Sequence, residues 1–78
     1  MKAISVECKF MSNGAVQVRR VLLENTWLPV GQGRQWTDEV GRHVLVMLPN
    51  QQVRELLLRA QTLDWVILPA PNLPHMMA

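Results

Sequence analysis

The chain has 78 residues, 49% of them hydrophobic, with a net charge of +2 and one cysteine. These values fit a single domain near the size at which one apolar core is barely sufficient, and they exclude disordered, collagen-like and disulfide-scaffold classes. Eight Lys and Arg stand against six Asp and Glu, and only Arg19 and Arg20 are adjacent, so the charge reads as a solvated surface rather than a basic tract.

Ile4, Val6, Cys8 and Phe10 alternate with Ser5, Glu7, Lys9 and Met11, the period of a strand with one buried face. Ser12-Asn13-Gly14 marks a turn, and Val16 to Leu23 supplies a second strand. Register decides the loop between them. A two-residue Asn-Gly turn would set Phe10 against Gln17 and Cys8 against Arg19, apolar against polar. A three-residue loop with Gly14 left-handed sets Phe10 against Val16, Cys8 against Val18 and Ile4 against Leu22, and pairs Glu7 with Arg19. It also leaves Arg20 on the apolar face opposite Val6. Three arrangements would relieve that: a bulge near Arg19-Arg20, a place at the sheet end with the stem buried and the guanidinium in water, or a partner's carboxylate or phosphate.

Glu24 to Gly41 is the least regular part, interrupted by Pro29, Gly31 and Gly33. Gly31-Gln32-Gly33-Arg34 resembles the start of a phosphate loop but lacks the third glycine and any Gly-Lys-Ser/Thr, so it is turn chemistry. Arg34 to Thr37 forms a short strand that returns through Asp38-Glu39-Val40-Gly41, with Trp36 opposite His43.

Arg42 to Leu68 concentrates the burial signal. Val44 to Leu48 and Trp65 to Leu68 are unbroken apolar runs that read as central strands buried on both faces. Between them Pro49 stops a strand and Asn50 caps a helix over Gln51 to Thr62, with Val53, Leu56, Leu57, Ala60 and Leu63 on one face. The same residues alternate as a strand, but with a mixed second face, and helix propensity favours the first reading. The expected fold is α+β: a small, mostly antiparallel sheet of roughly four to five strands with one helix packed on a face. The last two strands, if neighbours, would be joined by a right-handed parallel crossover. The alternative is an all-β meander or small barrel. Residues 1–69 form the single domain. Residues 70–78 are a Pro-rich tail, extended because of its prolines, whose Leu73, Met76 and Met77 can pack on the domain or on a neighbour.

Catalytic chemistry is sparse. Cys8 falls on the inferred buried face, where an apolar setting raises the thiol pKa and makes the residue structural. Neither His43 nor His75 is followed by a ligand-type residue at helical spacing, and Asp38-Glu39 occupies a turn. No enzyme activity, metal or cofactor is expected.

Trp27 and Trp36 lie in the loop-rich middle with arginines interleaved, and tryptophan and arginine are the residues most enriched at protein interfaces. The expected function is a small non-catalytic protein-binding module, an inhibitor or adaptor of a larger macromolecular assembly, meeting its partner through Trp27, Arg34, Trp36 and Arg20. Very small proteins of phages and mobile elements often have such roles, a comparison that rests on size and absence of chemistry alone. One alternative is a weakly basic nucleic-acid-binding protein using Arg19, Arg20, Arg34 and Arg42, disfavoured by the small net charge. The other is a homodimer binding a small ligand, suggested by apolar content that so small a core has little room for. The N-terminal residues lack the apolar core of a signal peptide, no stretch reaches the roughly 18 apolar residues of a membrane span, and a lone cysteine suits the cytoplasm.

Overall fold

The structure, a computed structural model, describes residues 2–69. The expectation for the tail 70–78 therefore lies outside the described residues. The chain forms β1 (Lys2–Ala3), β2 (Ser5–Phe10), β3 (Val16–Leu23), β4 (Thr26–Pro29), β5 (Gly31–Asp38), β6 (Gly41–Met47), β7 (Val53–Arg59) and β8 (Trp65–Ile67). A large five-stranded sheet has the order β1-β8-β7-β6-β5 and a small three-stranded sheet the order β2-β3-β4. Every pairing is antiparallel.

The two sheets are one continuous surface. Only Ile4 separates β1 from β2, and only Val30 separates β4 from β5, so each pair is a single bent strand that leaves one sheet and enters the other. At these bends the ladder continues: Ile4 N–H donates to the Trp65 carbonyl at 3.1 Å, and Val30 N–H to the Arg19 carbonyl at 3.1 Å. Strand succession thus runs from β1 round to β8 and back to β1, a closed meander barrel flattened into two sheets. Its interior is filled by Val16, Val18 and Val21 of β3, Val44 and Val46 of β6, Leu48, Leu56 and Ile67.

The α+β expectation is corrected: among the described residues there is no helix, and Gln51 to Thr62 supplies strand β7 instead. β7 lies between β6 and β8, so it is hydrogen-bonded along both edges, and no parallel crossover exists. Helix propensity is worth only tenths of a kcal/mol per residue, whereas two ladders and the burial of Leu56 inside and Leu57 outside act together along the same stretch.

Asn50 does accept an N–H two residues on, from Gln52 at 2.9 Å, but in a turn rather than a helix cap. Leu48 N–H donates to the Gln52 carbonyl at 2.9 Å, Gln51 N–H donates to the Leu48 carbonyl at 2.8 Å, and Gln51 is left-handed at φ 68°. The Ser12-Asn13-Gly14 loop has the same design. Met11 N–H donates to the Ala15 carbonyl at 2.8 Å, Asn13 Oδ1 accepts from Ala15 N–H at 3.0 Å, and Gly14 has φ 89°. Glutamine in the position glycine usually takes disguised the second hairpin.

In the first hairpin Phe10 faces Val16 and Cys8 faces Val18, the expected register. The register then shifts between Glu7 and Cys8, making Arg19 an extra, bulged residue. The bulge corrects three expected pairs: Glu7 meets Arg20, Val6 meets Val21, and Ser5 meets Leu22. It also turns Arg20 outward, where Nε donates to Glu7 Oε1 at 2.6 Å.

β4 pairs with β3 only from Arg20 to Leu23, so Val16 and Val18 have no strand on that side. Two glutamine side chains stand in for it. Gln35 accepts from Val16 N–H at 3.1 Å and donates to the Val16 carbonyl at 2.9 Å. Gln32 accepts from Val18 N–H at 2.6 Å and donates to the Val16 carbonyl at 2.9 Å. The Gly33-Arg34 irregularity of β5 lies between them. The Gly-x-Gly stretch is thus strand and bulge rather than a simple turn.

Candidate functional site

Strand alternation that sends Val44, Val46 and Leu56 inward sends His43, Leu45, Glu55 and Leu57 to the outer face of the large sheet. Register sets His43 opposite Trp36 on β5 and Leu57 on β7, and Leu57 opposite Val66 on β8. Although they face outward, His43, Leu57 and Val66 are buried, at 8%, 6% and 3% exposure. Above them is a pocket of about 510 Å³ lined by Glu39, Val40, His43, Leu57, Arg59, Gln61, Thr62 and Leu68. That volume is in the range of sites that accept a small molecule or one large side chain.

Two loops make its walls. In the β5–β6 turn Asp38 Oδ1 accepts from Val40 N–H at 3.0 Å and from Gly41 N–H at 3.3 Å. Gly41 has φ 150°, and a Cβ there would sit 2.0 Å from the Leu58 carbonyl oxygen. In the β7–β8 loop Leu63 N–H donates to the Arg59 carbonyl at 2.8 Å, with Leu63 left-handed at φ 57°. Arg59 donates twice to Asp64, Nε to Oδ1 at 2.8 Å and Nη2 to Oδ2 at 2.6 Å, which holds the Asp64 carboxyl well below the usual range. Ala60 N–H donates to the Val40 carbonyl at 2.9 Å and ties the walls together.

The floor carries an ion triplet. His43 Nδ1–H donates to Glu55 Oε2 at 2.5 Å. Nε2 lies 3.0 Å from Asp38 Oδ2, a charge contact without the alignment of a hydrogen bond. Trp36 stacks on the imidazole, and the Arg34 guanidinium lies 5.4 Å from the Trp36 ring centre. Burial, the largest influence on His43, works against its charged form, but Glu55 and Asp38 together outweigh it and raise its pKa. Asp38 is lowered chiefly by the same histidine.

A carboxylate lies beside each ring nitrogen, and both favour the charged imidazole. The carboxylates sit on opposite sides of one ring, and among the described residues no cluster of His, Cys, Asp and Glu could hold a metal ion. Cys8 lies in the other sheet, its thiol pKa pushed up by burial.

The four residues expected to meet a partner fall into two pairs. Arg20 and Trp27 belong to the small sheet, the guanidinium 5.4 Å from the ring centre and Trp27 42% exposed. Arg34 and Trp36 belong to the large sheet beside the pocket. Of the arginines considered for nucleic acid, Arg19 is the exposed bulge of the small sheet, and Arg42 is partly buried with Nη1 donating to Gln35 Oε1 at 2.8 Å. Arg19 and Arg20 thus belong to the small sheet, and Arg34 and Arg42 to the large one. Sequence reasoning missed Val40, Leu57 and Arg59, whose convergence depends on β7 being a strand. For His43 the signal was present in its register with Trp36.

The fold and site define a closed β-meander barrel with an apolar recess on one outer face. Comparison with protein-family models, curated proteins and solved structures finds no match to this chain. Among the described residues no helix is long and apolar enough to cross a membrane.

Proposed function

We propose that the chain is a small, non-catalytic protein-binding module, an inhibitor or adaptor of a larger assembly, whose docking face is the outer surface of the large sheet. The observation that carries this reading is a large, mainly apolar recess in which His43 and Arg59 are already engaged by protein carboxylates and Glu39 is the remaining charged lining group. Such a site offers a ligand burial and shape more than reactive groups, which supports docking over chemistry. Apolar side chains left in water on the same side support it. Val40 is 51% exposed on one wall, and Leu63 is 76% exposed on the loop of the other. Met47 and Val53, at 47% and 44%, extend the face along the β6–β7 hairpin. A leucine that is both left-handed and exposed costs stability, and such strain is retained where a site needs it. Arg34 and Trp36 flank the recess, which keeps that half of the expected partner surface in the proposal. A reducing compartment such as the cytoplasm suits a chain with one cysteine.

The test is affinity recovery from a host lysate with and without nuclease, using wild type, Val40→Asp, Trp36→Ala and the distant Phe10→Ser. A stoichiometric protein that survives nuclease, disappears with the first two variants and persists with the third supports the module. Equal recovery by all four removes this docking face, and recovery lost to nuclease moves the function to nucleic acid.

A further inference from the structure

Four of the chain's six carboxylates gather round the recess. Asp38 and Glu55 hold His43 beneath it, Asp64 holds Arg59 at its side, and Glu39 lines it. Glu39 has no ion-pair partner among the described residues. Arg59 is the only Lys or Arg among the described lining residues, and Asp64 engages it through two nitrogens. Asp38, Glu55 and Asp64 are thus answered within the chain, Arg34 lies over Trp36 to one side, and Glu39 is the lining carboxylate left to a partner. An apolar recess with an unanswered carboxylate at its edge is complementary to an apolar side chain that has a cation beside it.

We infer that the recess receives a Leu, Met or Phe side chain of a partner segment in which that residue is next to Lys or Arg, with the cation set against Glu39. The inference rests on the docking reading above and adds the partner's chemistry. The apolar side chain covers Leu57 and the His43 edge. The neighbouring ammonium or guanidinium stays at the rim in partial contact with water, where it contributes selectivity more than affinity.

The experiment is selection of a random peptide library on the immobilised full chain, with Val40→Asp as counter-selection, followed by binding of the enriched peptides to wild type and Glu39→Lys. Enriched sequences with a large apolar residue adjacent to Lys or Arg, bound about threefold to fivefold more weakly by Glu39→Lys, are the expected result. Enriched sequences that lack a neighbouring cation, or that bind Glu39→Lys equally well, overturn the charge rule while leaving the docking face intact. No enrichment over the Val40→Asp protein overturns both. Because Glu39 and Val40 are turn residues with exposed side chains, thermal melts of both variants against wild type separate lost docking from lost folding.

Discussion

The Trp36 indole lies flat on the His43 imidazole, ring centres 5.0 Å apart and planes within 1° of parallel. Stacking of this kind favours an imidazolium, since the aromatic face is electron-rich. With Asp38 and Glu55 at the two nitrogens, His43 joins the β5–β6 turn to β7 across the floor of the recess.

Stability should follow the protonation of that ring. The raised pKa of His43 means that its contribution is complete below about pH 6.5, its unfolded value, and is lost as pH rises through the higher folded value. The lowered pKa of Asp38 gives the opposite limb, complete above about pH 3.8 and lost as pH falls through the folded value. Urea midpoints between these limits should form a plateau, with a decline on the alkaline side that His43→Gln removes. At pH 6 that variant should be about 2 kcal/mol less stable, the scale of hydrogen bonds to charged groups. Parallel alkaline limbs for the two proteins would assign the decline to other groups.

Gly41→Ala should be among the most damaging small substitutions. Its Cβ has no room beside the Leu58 carbonyl and its φ of 150° disfavours any side chain, so a loss of about 3 kcal/mol or failure to fold is expected. Gly14→Ala, at φ 89° with nothing within 4 Å, should cost about 1 kcal/mol from backbone strain alone. Denaturant midpoints of the two variants measured together check the contrast.

Gln32→Ala and Gln35→Ala each remove hydrogen bonds from buried β3 backbone that no strand replaces. A loss of about 2 kcal/mol is expected for each, with faster hydrogen exchange at Val18 N–H for the first and Val16 N–H for the second. Exchange unchanged at those amides would show that water satisfies them equally well.

Leu63→Asn should raise stability by about 1 kcal/mol, because asparagine tolerates φ 57° and an exposed leucine gains little from folding. The same variant should bind the enriched peptides more weakly. A melting temperature that rises with binding unchanged would separate Leu63 from the docking face.

What the sequence determined by itself was local. Alternation in Ile4 to Cys8, the Ser12-Asn13-Gly14 loop and the Trp36 and His43 pairing were legible because each depends on neighbours a few residues apart and on side-chain period alone, whereas Phe10, expected on the buried face, is exposed. Arg20 on an apolar face left three arrangements open, and the bulge at Arg19 is the one the chain adopts. What only the tertiary structure decided was β7. Leu56 and Leu57 are both buried, one on each side of the sheet, and a two-sided apolar stretch carries no period that separates strand from helix. The decision came from β6 and β8, which offer Val53 to Arg59 a hydrogen-bonding partner on either edge. The recess followed from that choice, since Leu57 and Arg59 come to one face beside His43 only when β7 is extended and its side chains alternate.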